Sequence, residues 1–261
     1  MKKKLCIIGI VLLIILVITN SILYHEQKIP VLGYHSFYKD KNELREDNPE
    51  FINDINKFEE QMKYLKKHKY KTLTMDEFYC WKQGKCKQPR KSVLITIDDG
   101  NLSNYMYAFP ILKKYNFNAT VFFVGSQAKN LGVEEGTIYD IMSLDLIKKC
   151  KKEYPNIEFY SHSFNLHGKP ANEWTNEEQA EDIKQMKTIG DFDIYAYPFG
   201  VYDDNMINNL KQNGYKMAFG FGPRKDYRKA RKSDDIYKVP RLNISNYVSM
   251  FKFIARLTIP Y

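Results

Sequence analysis

After residue 30, short apolar runs alternate with longer polar stretches in which apolar residues return every three or four positions. The runs are Val31–His35, Val93–Ile97, Ala119–Gly125, Ile157–His162, Phe192–Gly200, Tyr215–Phe221 and Tyr237–Ile244. They are rich in β-branched and aromatic residues and alternate little with polar ones, which is how strands covered on both faces read. The stretches between them read as helices. Phe58, Met62 and Leu65 fall on one face of a helix, and Thr74 with Glu77 forms a capping box for a short second one. Further helices are expected over 104–115, from Ser143, from the Thr175 and Glu178 capping box to Gly190, before Gly214, and over 246–257.

This alternation predicts an irregular parallel (β/α) barrel of about seven strands in one domain, residues 26–261, with an open doubly wound sheet as the second choice. In either fold, ligands sit at the carboxyl ends of the strands. Two of the runs end in residues that carry chemistry. Val93–Ile97 runs into Asp98, Asp99 and Gly100, and the run from Ile157 ends at His162, with His167 five residues on. Adjacent carboxylates repel unless a cation, a shared proton or water separates them. Five residues on an α-helix turn through about 500°, so two histidines at that spacing diverge by about 140°; a loop brings them together more easily. One Asp and two His make a three-ligand set with open positions, suited to zinc or another divalent transition metal. For both aspartates to face it, the chain must leave the strand there, and Gly100 is the residue type that permits the turn. One acid would then bind the metal while the other takes a proton from water.

The stretches "TIDDG" (96–100), "HSFNLH" (162–167) and "AYPFG" (196–200), in that order and supported by "PVLGYHSF", resemble the polysaccharide deacetylases of carbohydrate esterase family 4. The six-residue histidine motif is similar to that of the branch acting on poly-N-acetylglucosamine. The resemblance implies a distorted (β/α) barrel, Asp98 as catalytic base, and Asp99, His162 and His167 as ligands of a divalent metal, with zinc the first choice. It also puts Tyr197 and Pro198 on the substrate side, the Tyr197 backbone helping to stabilise the oxyanion. Two positions depart from the family. Ala196 stands where many relatives place the arginine that orients the base, and no histidine follows His167 to act as the late general acid. His35, which closes the first strand and so belongs on the same rim, is the substitute candidate for the acid. The implied function is removal of N-acetyl groups from an N-acetylglucosamine-type polysaccharide. A carbohydrate-binding protein of the same fold with weak turnover and an O-acetyl esterase are the alternatives.

The first 25 residues change the picture of where this happens. Lys2, Lys3 and Lys4 precede an uncharged 20-residue run, Leu5 to Tyr24, with no small-residue cleavage site. That reads as an uncleaved single-pass transmembrane helix with the lysines in the cytoplasm and the domain outside the cell. Cys6 is then an ordinary membrane residue. Net charge is +9, or +6 without the three anchor lysines; this suits anionic envelope polymers or lipid head groups. No nucleic-acid-reading motif is present, and nucleic acid is not an expected partner. Cys80 and Cys86 flank a glycine and are compatible with a local disulfide in an oxidising compartment, and Cys150 reads as a structural thiol.

Overall fold

The structure, a computed structural model, describes residues 14, 26–44, 49–221 and 228–259. Six parallel strands lie side by side in chain order: β1 (Val31–Tyr34), β2 (Ser92–Ile97), β3 (Ala119–Phe123), β4 (Ile157–Ser161), β5 (Ile194–Ala196) and β6 (Met217–Gly220). A seventh stave comes in two halves. β7 (Val239–Pro240) pairs with β6, and β8 (Leu242–Asn243) pairs with β1, placing Leu242 opposite Leu32. The ring of strands therefore nearly closes, which excludes the open sheet, and its break is the single residue Arg241.

Two expected strands are shorter than the sequence suggests. β5 ends at Ala196 because Pro198 has no N–H for the ladder and begins a 3-10 turn, Pro198–Gly200. The last run, read as one strand, is split at Arg241.

Alternation along β2 sets the geometry of the site. Val93, Ile95 and Ile97 face outward and pack against the helix layer, including Phe58, Met62 and Leu65 of α1 (Ile55–Lys67). Leu94 faces inward, with Val31, Phe122, Ile194 and Met217. Phe78 and Trp81 of α2 (Met75–Lys82) join that interior cluster and seal the end where the strands begin. With the lower end packed, the open end of the barrel is the one that carries the loops after the strands.

Cys80 and Cys86 are joined in a disulfide that fastens the turn after α2. Cys150 is buried, and burial pushes its thiol up to about 12, consistent with an inert structural role. Just ahead of β1, Lys28–Ile29 pairs antiparallel with Ala230–Arg231. The Leu5–Tyr24 run, apart from Ile14, lies outside the described residues; among the described residues no helix is long and apolar enough to cross a membrane.

Candidate active site

Asp98 continues the inward series of Leu94 and Thr96. Its N–H still donates to the Tyr34 carbonyl at 2.9 Å, so it extends the ladder one bond past the end of β2 and lines the barrel mouth. Asp99 then turns the chain itself, with φ of 69°, and Gly100 follows at 80°. The turn thus starts one residue earlier than the glycine suggests, at an aspartate, one of the residue types that tolerate this region. Gly100 is required twice over, since a Cβ there would lie 2.6 Å from the Cβ of Phe123. Ser163 and Phe199, after β4 and β5, also have positive φ, of 74° and 59°. Each costs about 1–3 kcal/mol, and such strain concentrates at functional sites.

These turns bring the expected residues together. One ligand atom from each of Asp99, His162 and His167 lies within 4.8 Å of the others. Asp99 Oδ1 stands 3.1 Å from His167 Nε2 and 3.5 Å from His162 Nε2. His162 is oriented by its other nitrogen, as Nδ1 donates to the Ala196 carbonyl at 2.9 Å, leaving the Nε2 lone pair toward Asp99. Asp99 Oδ1 is buried without a hydrogen-bond partner. A buried, unpartnered carboxylate oxygen facing two imidazole nitrogens is a donor set that a divalent cation would satisfy, so the residues fit a metal.

Electrostatics agree with an ionised pair of acids. Burial pushes both carboxyls up, but at Asp99 the His167 imidazole 3.1 Å away, with the nearby His35 and His162 rings, outweighs it and holds the pKa well below the ordinary range. Burial pulls His162 down to about 4, so it is neutral near pH 7, as a ligand must be. For His167 burial acts downward, but Asp99 outweighs it and raises the pKa.

Asp98 has a partner that sequence reasoning missed. Arg241 donates from Nη1 to Oδ1 at 2.6 Å and from Nη2 to Oδ2 at 2.8 Å, a bidentate pair with both residues at most 1% exposed. The guanidinium lies 3.9 Å from the centroid of Phe221 and 5.6 Å from that of Phe122. Burial raises the Asp98 pKa, yet Arg241, then His162 and His35, bring it below the ordinary value. The arginine absent at Ala196 is thus replaced in space by one 45 positions later in the chain, at the break in the seventh stave.

His35 follows β1 on the same rim, with Nε2 3.8 Å from Asp98 Oδ2. Its ring stacks on Phe221 at 5.7 Å and meets Phe51 at 4.8 Å. Tyr197 sits differently from expectation. Its N–H is spent on the Phe219 carbonyl at 2.9 Å, and it is fully buried with Pro198 behind the cleft wall. The neighbour that reaches the cleft is Phe199, whose ring stacks on His167 at 5.7 Å and whose N–H has no acceptor among the described residues. Its reversed φ turns the backbone at this position, and nothing in "AYPFG" announces that. His35, Asp98, Asp99, His162, His167 and Phe199 all line one cleft of about 1140 Å³.

The family model described as polysaccharide deacetylase matches residues 85–218, just over half of the chain. A poly-β-1,6-N-acetyl-D-glucosamine N-deacetylase of Staphylococcus aureus is 30% identical over 203 residues, covering 72% of this chain. The chain spans 66% of that relative's length, slightly under two thirds. Among solved structures, the Streptococcus pyogenes deacetylase PplD in complex with acetate superposes with a TM-score of 0.75 at 22% identity, over 89% of this chain and 99% of its own. IcaB from Ammonifex degensii gives 0.67 at 21%, over 88% and 96%. At such identities the superpositions speak for the fold. Arg241 and His35 both lie outside the residues that the family model matches.

Proposed function

Because this chain belongs to the polysaccharide deacetylase family, we propose that it hydrolyses N-acetyl groups on an N-acetylglucosamine-type polysaccharide, using a divalent cation held by Asp99, His162 and His167. The observation that carries this reading is the convergence in one cleft of that ligand set with Asp98, which Arg241 holds from behind. The name of the Staphylococcus aureus relative supports the polymer class. Two imidazoles and one carboxylate favour zinc as the ion. When bound, the cation supplies Lewis acidity, polarising the amide carbonyl and making water more acidic.

The chain's own groups do the rest. Asp98, held ionised and fixed in the Arg241 fork, accepts a proton from the attacking water. Phe199 offers an unspent N–H on the cleft wall for the oxygen that becomes negative. The C–O bond forms, the C–N bond breaks, and the amine leaves with a proton while acetate remains. His35 is the proposed donor of that proton. His35→Gln should lower kcat about 100-fold, the usual range for a general acid, and remove the basic limb of the pH–rate profile with metal content intact. Unchanged turnover and pH dependence would assign the proton to Asp98 or solvent instead.

The reading as a weakly active carbohydrate-binding protein drew on two departures, a base without its arginine and the lack of a late histidine, and the Arg241 pair speaks against the first of them. Acetate release measured on N-acetylated and O-acetylated oligosaccharides, with and without chelator, tests the assignment. Chelator-sensitive release from the N-acetylated substrate is expected, and release from the O-acetylated one alone would make this an esterase. We also propose that Leu5–Tyr24 anchors the protein in the cell membrane with the domain outside, on the strength of its 20 uncharged residues after three lysines. Full-length protein should fractionate with membranes; a mature chain beginning near residue 25 would show a cleaved leader.

A further inference from the structure

Asp182 is a carboxylate in a helix core position. It lies on the buried face of α4 (Asn176–Ile189; α3 is Gly125–Asn130) together with Gln179, Ile183 and Met186, and is 4% exposed. A charge there costs several kcal/mol unless donors compensate it, and the donors all come from one place. Asp182 accepts from the backbone N–H groups of Phe164 at 3.0 Å, Asn165 at 2.6 Å and Leu166 at 2.9 Å, and from the Ser163 hydroxyl at 3.1 Å. Those four residues are the whole of the loop between His162 and His167. From the opposite side, Gly125 and Ser126 at the start of α3 donate their N–H groups to the carbonyls of Ser163 and Phe164 at 3.0 and 2.8 Å.

The two histidines depend on this clamp to different degrees. His162 is held by the end of β4 and by its bond to Ala196. His167 comes at the far end of the loop, so the loop's path fixes how far its Nε2 stands from His162 and Asp99. From this geometry we propose that Asp182 is a positioning residue for the metal site: it folds the four-residue spacer so that His167 meets the other two ligands. The inference rests on the metal reading of Asp99, His162 and His167.

Asp182→Asn conserves size but replaces an acceptor oxygen with an NH₂ group that faces N–H donors. Competition with a chromophoric chelator should show zinc bound about 10–100-fold more weakly than by the unaltered protein, the usual cost of losing a group that supports a ligand. Saturating zinc should restore most of kcat, with KM little changed. A folded Asp182→Asn protein with unaltered zinc affinity would overturn the proposal. Should that variant not fold, Ser163→Ala removes one donor to Asp182 together with an acceptor of the Leu166 N–H, which Asp182 still accepts, and should weaken zinc by about threefold or more; unaltered affinity there overturns the proposal equally. Absence of zinc binding by the unaltered protein would instead sink the metal reading on which the proposal stands.

Discussion

Arg241→Met will lower kcat by about 10²–10³-fold and move the acidic limb of the pH–rate profile to higher pH. Two effects act together. Breaking a buried pair by removing one partner costs about 3–5 kcal/mol, because the remaining charge is stranded. Asp98 can relieve this by taking up a proton, since the burial that pushes its pKa up is then no longer outweighed by the guanidinium. A base must be unprotonated, so with a higher pKa its active form disappears earlier as pH falls, which gives the direction of the shift. The second effect is orientation, because the fork holds both carboxylate oxygens and small displacements of a catalytic group are expensive. Arg241→Lys separates the two, since it keeps the charge without the bidentate geometry. It should recover the position of the limb better than it recovers kcat. Wild-type kcat and an unmoved limb in Arg241→Met would show that the pair is only structural.

Asp98→Asn will abolish measurable turnover, a loss of about 10³–10⁴-fold, at every pH, with the acidic limb gone and metal content unchanged. The contrast with Asp99→Asn is the informative part, because that neighbour supplies the buried Oδ1 facing both imidazoles. Asp99→Asn should lose the metal at neutral pH, and Asp98→Asn should keep it. Metal analysis of the two variants beside their rates checks this division. Full metal occupancy in Asp99→Asn would remove it from the ligand set, and a working Asp98→Asn enzyme would require another base.

The parts of this site that could be read from sequence are those attached to strand ends. Asp98, Asp99 and His162 each close an apolar run, so the barrel that the runs predict also predicts their common rim, and His167 follows within a short loop. Arg241 could not be found by spacing, because it lies 143 residues from Asp98. It did leave one physical sign: a charged residue inside the apolar run "YKVPRLNI", where a buried strand must supply it with a counter-charge. Asp182 left a similar sign on the core face of its helix, but only the docking of α4 against the histidine loop reveals its partners. Backbone hand was illegible altogether. The left-handed residues at Asp99 and Phe199 decide which groups meet the cleft, and neither is a glycine. Tyr197 and Phe199 are consequently exchanged relative to expectation, since a reversal between them carries one behind the wall and the other onto it.

The antiparallel pairing of Lys28–Ile29 with Ala230–Arg231 places the start of the domain beside the end of the barrel packed by Phe78 and Trp81, away from the strand ends that carry Asp98 and His162. A molecule tethered through that segment would stand on its closed base with its working end pointing outward. The barrel itself would then act as a pedestal, and the proposed polymer substrate would be met at the distance of its height from the tethering surface. Polymer strands threading the space above would be within reach, whereas groups lying flat on that surface would be sheltered beneath the base.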